Sequence, residues 1–265
     1  MYVLIRHLWR TLFRSLNLGL VKYKDLMDLQ QTFIDYTCLT NKYSFYRVFQ
    51  DNLRESKIST EPYIEDSNIL FESKSQNGQD LFALMSNNFK IGGTFIEFGA
   101  YDGIIFSNTH LLENKYGWNG ILIDPVPNHY AKMKVNRNCQ LINAAIVPKS
   151  EFEVIIEEQP ASDLSKLVTK RNYLQKVHKV KAFTLSEIFA MFLKTNVLDF
   201  LSIDIEGKDI EVLKSIDFSK IQINAICVEH NNRKGSDQLI KYMNEKGYLL
   251  VYREYSKHDY WFTIK

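Results

Sequence analysis

From residue 94 onward, short apolar runs alternate with amphipathic stretches. The runs Thr94–Phe98, Gly120–Ile123, Gln140–Ile142 with its continuation, Val197–Ser202 and Ala225–Glu229 have the length and composition of buried strands. Two more, Tyr248–Arg253 and Tyr260–Ile264, are separated only by the polar turn Tyr255–Asp259 and predict an antiparallel hairpin at a sheet edge. Helical periodicity covers roughly 108–116, 128–136, 208–216 and 236–246. Thr184-Leu185-Ser186-Glu187 has the form of a capping box that opens a further helix towards Leu193. This alternation predicts an α/β fold: a mostly parallel, doubly wound sheet with helices on both faces.

The first seventy residues differ. They read as helical and irregular, rich in Leu, Tyr, Phe and charge, and form an N-terminal helical extension (1–70) ahead of the α/β domain (71–265). In its first twenty residues Ile5, Leu8, Trp9, Leu12, Phe13 and Leu16 recur at helical spacing, with Arg6, Arg10 and Arg14 between them. Two uses fit a basic amphipathic helix: lying on an anionic membrane surface, or packing on the protein body or a second subunit in a homo-oligomer. Packing is the commoner use. The unbroken apolar centre of a signal peptide is missing, and no run has the length of a membrane span.

Residues 150–182 also stand apart. Glu151–Glu157 alternates like a solvent-facing strand, and Lys166, Lys170, Arg171, Lys176, Lys179 and Lys181 follow closely. Such an insertion over the carboxyl edge of a sheet suits a lid or substrate loop, and its lysines suit an acidic or phosphorylated acceptor; a solvated basic surface is the commoner meaning of such a run.

Composition narrows these readings. The chain has 265 residues, 45% hydrophobic, enough for one sizeable core, and its net charge of +2 gives no ground to expect nucleic acid as a partner. Cys38, Cys139 and Cys227 are far apart and form no C-x-x-C pair, a usage that fits a reducing cytoplasm.

The candidate chemistry lies at the ends of the strands, where a doubly wound sheet binds ligands. The first strand runs into Glu97-Phe98-Gly99-Ala100-Tyr101-Asp102-Gly103. Gly99 lets backbone pass close to a cofactor. A pyrophosphate loop would avoid Glu97 and Asp102. The two carboxylates suit a cationic, hydroxyl-rich ligand such as S-adenosylmethionine. Asp124 ends the second strand about twenty residues on, the spacing of a ribose-binding carboxylate. A nicotinamide dehydrogenase would share that acid but needs G-x-G-x-x-G, which is not present. The fourth strand ends in Asp204-Ile205-Glu206-Gly207 and the fifth in Glu229-His230-Asn231. These neighbouring tips offer a general base for a substrate hydroxyl, ligands for a divalent cation, or simply a network that satisfies loop amides.

Together with Ser75-Gln76-Asn77-Gly78-Gln79-Asp80, Ser107-Asn108-Thr109, Gly117-Trp118-Asn119-Gly120, Ile123-Asp124-Pro125 with Pro127, and Leu201–Gly207, these motifs resemble the FkbM-type methyltransferases over roughly residues 75–264. Lys208 departs from the family pattern, which often has Ala there. The resemblance implies a class I, Rossmann-like, S-adenosylmethionine-dependent enzyme, typically an O-methyltransferase acting on sugars or natural products. The expected cofactor set is Glu97, Gly99, Ala100, Asp102, Asp124, Asn143 and Asp204. Asp204 or His230 is the expected base, with Glu206 in the catalytic set. Asp204, Glu206, Glu229 and His230 are the ligands for any metal. The expected acceptor is a sugar, a glycan or a lipid-linked sugar, methylated in glycan biosynthesis. A methyltransferase-like binding module without turnover is the alternative from another class.

Overall fold

The structure is a computed structural model that describes residues 23–56, 69–158, 165–167, 176–205, 208–230 and 236–265. The amphipathic stretch at 1–20 lies outside these residues. The chain divides into two units, Met1–Thr40 and Asn41–Lys265. A long helix, α1 (Tyr23–Glu55), supplies the described part of the first and the start of the second. Among the described residues no helix is long and apolar enough to cross a membrane.

The larger unit is built on a seven-stranded sheet. Its strands are β1 (Thr94–Phe98), β2 (Asn119–Ile123), β3 (Gln140–Ile142), β8 (Val197–Ile203), β9 (Gln222–Glu229), β10 (Tyr248–Val251) and β11 (Asp259–Ile264). The spatial order is β10-β11-β9-β8-β1-β2-β3. β1 pairs in parallel with both β2 and β8, so the winding direction reverses at the β1–β8 seam. β11 is antiparallel to β9 on one side and to β10 on the other. The hairpin expected at the edge is thus inserted: its second strand lies inside, and a short helix, α9 (Arg253–Ser256), forms its turn.

Period-two alternation sends side chains to two cores. Phe95, Leu122, Phe200, Ala225 and Trp261 face a layer built from the second half of α1, α2 (Ile69–Glu72), α3 (Gln79–Ser86), α4 (His110–Tyr116) and α5 (Pro127–Asn136). Ile96, Phe98, Ile121, Leu201, Ile203, Ile226 and Val228 face α6 (Leu185–Phe192), α7 (Asp209–Lys214) and α8 (Ser236–Glu245). Both faces are covered, which is why these strands read as continuous apolar runs. α6 opens on the expected capping box, with Thr184 Oγ1 accepting from Glu187 N and the Glu187 carboxylate accepting from Thr184 N.

The insertion at 150–182, read as one strand (Glu151–Glu157) leading into a lid or loop, contributes with its flanks to a second, four-stranded sheet of order β4-β7-β5-β6: β4 (Ala145–Ile146), β5 (Glu153–Glu158), β6 (Ser165–Leu167) and β7 (Lys176–Phe183). Its acidic and basic stretches are register partners: Glu153 faces Lys181, and Glu158 faces Lys176. The Lys179 Nζ also bonds the Glu153 carboxylate. Cross-strand charge pairing therefore accounts for much of the basic run on β7.

Candidate methyl-donor site at the strand tips

The site is assembled on the loop between β1 and α4, residues 99–109. Gly99 has φ +73, a left-handed conformation, and its N donates to Ile123 O at 3.0 Å. The loop then leans on β2, because Tyr101 N donates to Asp124 Oδ2 at 3.1 Å. Asp124 is buried, and its Oδ1 also accepts from Val126 N (2.8 Å) and interacts with His129 Nδ1 (3.1 Å). Tyr101 packs its ring edge-on against His129, and the Lys132 Nζ lies over the Tyr101 ring. Asn143, just past β3, donates from Nδ2 to Asp124 O at 2.8 Å. Ala100 is buried between these contacts.

Two more of the expected cofactor carboxylates, Glu97 and Asp102, are engaged by the loop. Glu97 is buried and accepts from Asn108 N (2.7 Å), Ser107 Oγ (2.9 Å) and Thr109 Oγ1. Burial raises its carboxyl above the ordinary value, against the pull of Arg137 and these bonds. Asp102 Oδ1 closes a turn by accepting from Ile104 N and Ile105 N, at 2.9 and 2.8 Å.

Nothing in the sequence distinguishes Arg137, an ordinary-looking cation at the end of α5. In the structure it is a buried clamp. It donates to Glu113 Oε2 (2.7 Å), Gly103 O (2.9 Å), Ser107 Oγ (3.0 Å) and Thr109 Oγ1 (3.0 Å). Burial pushes the Glu113 carboxyl up, but the guanidinium outweighs it and leaves the group below its ordinary value. One side chain thus ties together the loop, α4 and α5.

Across the seam, the tips of β8 and β9 bring carboxylates together. Oxygens of Asp204, Asp209 and Glu229 lie within 4.8 Å of one another. Asp204 is exposed. Asp209, at the first position of α7, is buried and accepts from Ile205 N at 2.7 Å, which fixes the turn after β8. Of the expected catalytic and metal-ligand residues, Asp204 and Glu229 meet here, and Asp209 joins them; Glu206 lies outside the described residues. The His230 ring stacks on Tyr260 instead, with centroids 4.0 Å apart, and its backbone N donates to His258 O. Burial, with His258 and Arg253 nearby, lowers its pKa and favours the neutral ring.

A further acid was not anticipated. Because β11 runs antiparallel to β9, its first residue lies at the same edge, and Asp259 is the register partner of Glu229. Its Oδ2 accepts from Gln79 Nε2 at 2.7 Å, and burial pushes its carboxyl up to about 6. The antiparallel reading of the last strand was the available signal.

These residues suit S-adenosylmethionine. Asp124 Oδ2 has a single protein donor, which leaves it lone pairs for a hydroxyl. The Asn108 Oδ1 is buried with no protein partner. Both are acceptors, and the ligand brings hydroxyl and ammonium donors.

Read outward from its edge, the order β3-β2-β1-β8-β9-β11-β10, with β11 reversed, is that of the class I S-adenosylmethionine-dependent methyltransferases. The methyltransferase FkbM domain matches residues 97–250. The chain belongs to the FkbM methyltransferase family. No curated protein matches it. Among solved structures it is similar to the precorrin-6y C5,15-methyltransferase of Geobacter metallireducens, with 10% identity, TM-score 0.38, and 68% of this chain and 75% of that one covered. It is also similar to the SAH-bound methyltransferase PaMTH1 of Podospora anserina, with 10% identity, TM-score 0.40, and 93% and 98% covered. The assignment rests on the family match and the strand order.

Proposed function

We propose that the chain is an O-methyltransferase that methylates a hydroxyl of a sugar, carried on a glycan or a lipid. The observation that supports this most is the pairing of two unlike sites at one sheet edge. A donor cradle with free acceptors lies over β1 and β2, and an exposed carboxylate, Asp204, lies over β8. When bound, S-adenosylmethionine supplies an electrophilic methyl group. Asp124 accepts from its ribose hydroxyls, and Asn143 and Ala100 border the base beyond. Asp204 takes the proton of the acceptor hydroxyl as general base, Asp209 holds the turn that presents it, and Glu229 and Asp259 orient the acceptor's other hydroxyls. Alignment of the two partners supplies most of the acceleration. The family resemblance favours the sugar.

The test is transfer of labelled methyl from S-adenosylmethionine to cell extract fractionated into glycans, lipids and proteins. Label in sugar-containing fractions supports the proposal. Label in protein alone, or in no fraction, overturns it.

A further inference from the structure

Asn108 is pinned across the seam where the winding reverses. Its backbone N donates to Glu97 Oε1 at 2.7 Å, and its Nδ2 donates to Ser202 Oγ at 2.9 Å. Glu97 on β1 and Ser202 on β8 are register partners, each next to the last residue of its strand. The amide therefore bridges two adjacent strand ends at the point where a doubly wound sheet takes its ligand. With its nitrogen committed to Ser202, its oxygen is left over, and that Oδ1 is buried without a protein partner. Native proteins satisfy nearly all such atoms, because an unmade bond in the interior costs more than a made one contributes.

We infer that Asn108 Oδ1 accepts a hydrogen bond from the α-ammonium of the methyl donor, an inference that rests on the donor site described above. Three parts of S-adenosylmethionine can donate: the adenine amino group, the ribose hydroxyls and the ammonium. The hydroxyls go to Asp124 on β2, and the adenine follows towards Asn143 beyond β3. The ammonium is at the opposite end of the molecule, so it falls on the β8 side of β1, where Asn108 lies. The charge balance agrees. The Arg137 guanidinium is shared between Glu113, which it contacts, and the bonding network around Glu97. Two carboxylates thus face one cation, and the exposed Asp204 adds a third negative group on the β8 side. A cation is welcome there, and an amide oxygen orients it without adding charge.

The test compares S-adenosylhomocysteine with its analogue in which hydrogen replaces the α-amino group, by titration calorimetry on the parent, Asn108→Ala and Asn108→Asp. The parent is expected to bind S-adenosylhomocysteine about tenfold more tightly than the analogue, the size of one hydrogen bond to a charged group. Asn108→Ala is expected to lose that preference, with the analogue's affinity unchanged. Asn108→Asp keeps an acceptor and is expected to retain or increase the preference. An undiminished preference in Asn108→Ala overturns the inference, as does a parent that binds both compounds equally. If Asn108→Ala fails to fold, Asn108→Asp decides, and loss of the preference there overturns it. A parent that binds neither compound removes the donor site itself, a different result from equal binding.

Discussion

Gly99 and Asp204 touch backbone to backbone: a Cβ built on Gly99 would lie 1.8 Å from the Asp204 carbonyl oxygen. The end of β1 thereby sets the height of the turn that carries the candidate base. Gly99 is also left-handed, at φ +73. Gly99→Ala meets both penalties, since the contacting atom is backbone and cannot swing away. The expected loss is about 3 kcal/mol or more, at the large end for a single substitution. Urea unfolding measures it, and a loss under about 1 kcal/mol would show that the two tips are not in contact.

Arg137→Met keeps most of the side chain's bulk and removes its charge. The Arg137 side chain is fully buried and that of Glu113 only 10% exposed, so the change strands a carboxylate in the interior. The expected cost is about 3–5 kcal/mol. The double variant Arg137→Met/Glu113→Gln should recover part of that loss. Losses in the two single variants that simply add in the double variant would show that the clamp does not act through Glu113.

Much of this arrangement is legible in the chain, and the illegible parts have a common cause. β1 is bounded by Gly93 and Gly99, and its apolar run matches the strand residue for residue. The Thr184–Glu187 box is local chemistry and forms as read. Arg137, Asp209 and Asp259 carry no local mark. Each takes its part from a residue distant in sequence: Gly103 and Ser107 for Arg137, the β9 tip for Asp209, and Gln79 and Glu229 for Asp259. The small sheet at 145–183 was only partly legible, for another reason. Its β5 shows in the alternation of Glu151–Glu157, but β6 and β7 carry lysines, and the cross-strand pairing that stabilises them appears only once the register is known.

Asp259 should give stability a pH signature. Its carboxyl rises from an ordinary 3.8 to about 6 in the folded protein, chiefly through burial. The folded state then holds a proton that the unfolded state releases, so the stabilising contribution is present at low pH and is lost as pH rises through about 6. Relative to Asp259→Asn, the parent is expected to lose unfolding temperature between about pH 4 and pH 6 and to change little above that. Paired thermal melts across this range check it. A difference independent of pH, or one of opposite sign, contradicts the assignment.

Asp204→Asn keeps the shape of the exposed carboxylate and removes its basicity. Turnover with the sugar acceptor should fall by about a hundredfold or more, the usual contribution of general-base catalysis. Unchanged turnover would pass the role of base to another residue at this edge, such as His230, whose lowered pKa leaves it neutral.

In the proposed complex a methyl donor lies across the tips of β8, β1 and β2 with its ribose on Asp124. Titration calorimetry of S-adenosylhomocysteine against the parent and Asp124→Ala, with NAD as the competing nucleotide, tests it most directly. Micromolar binding to the parent is expected, with a loss of about tenfold or more in Asp124→Ala and no binding of NAD. Equal affinity in parent and variant, or preference for NAD, would contradict it.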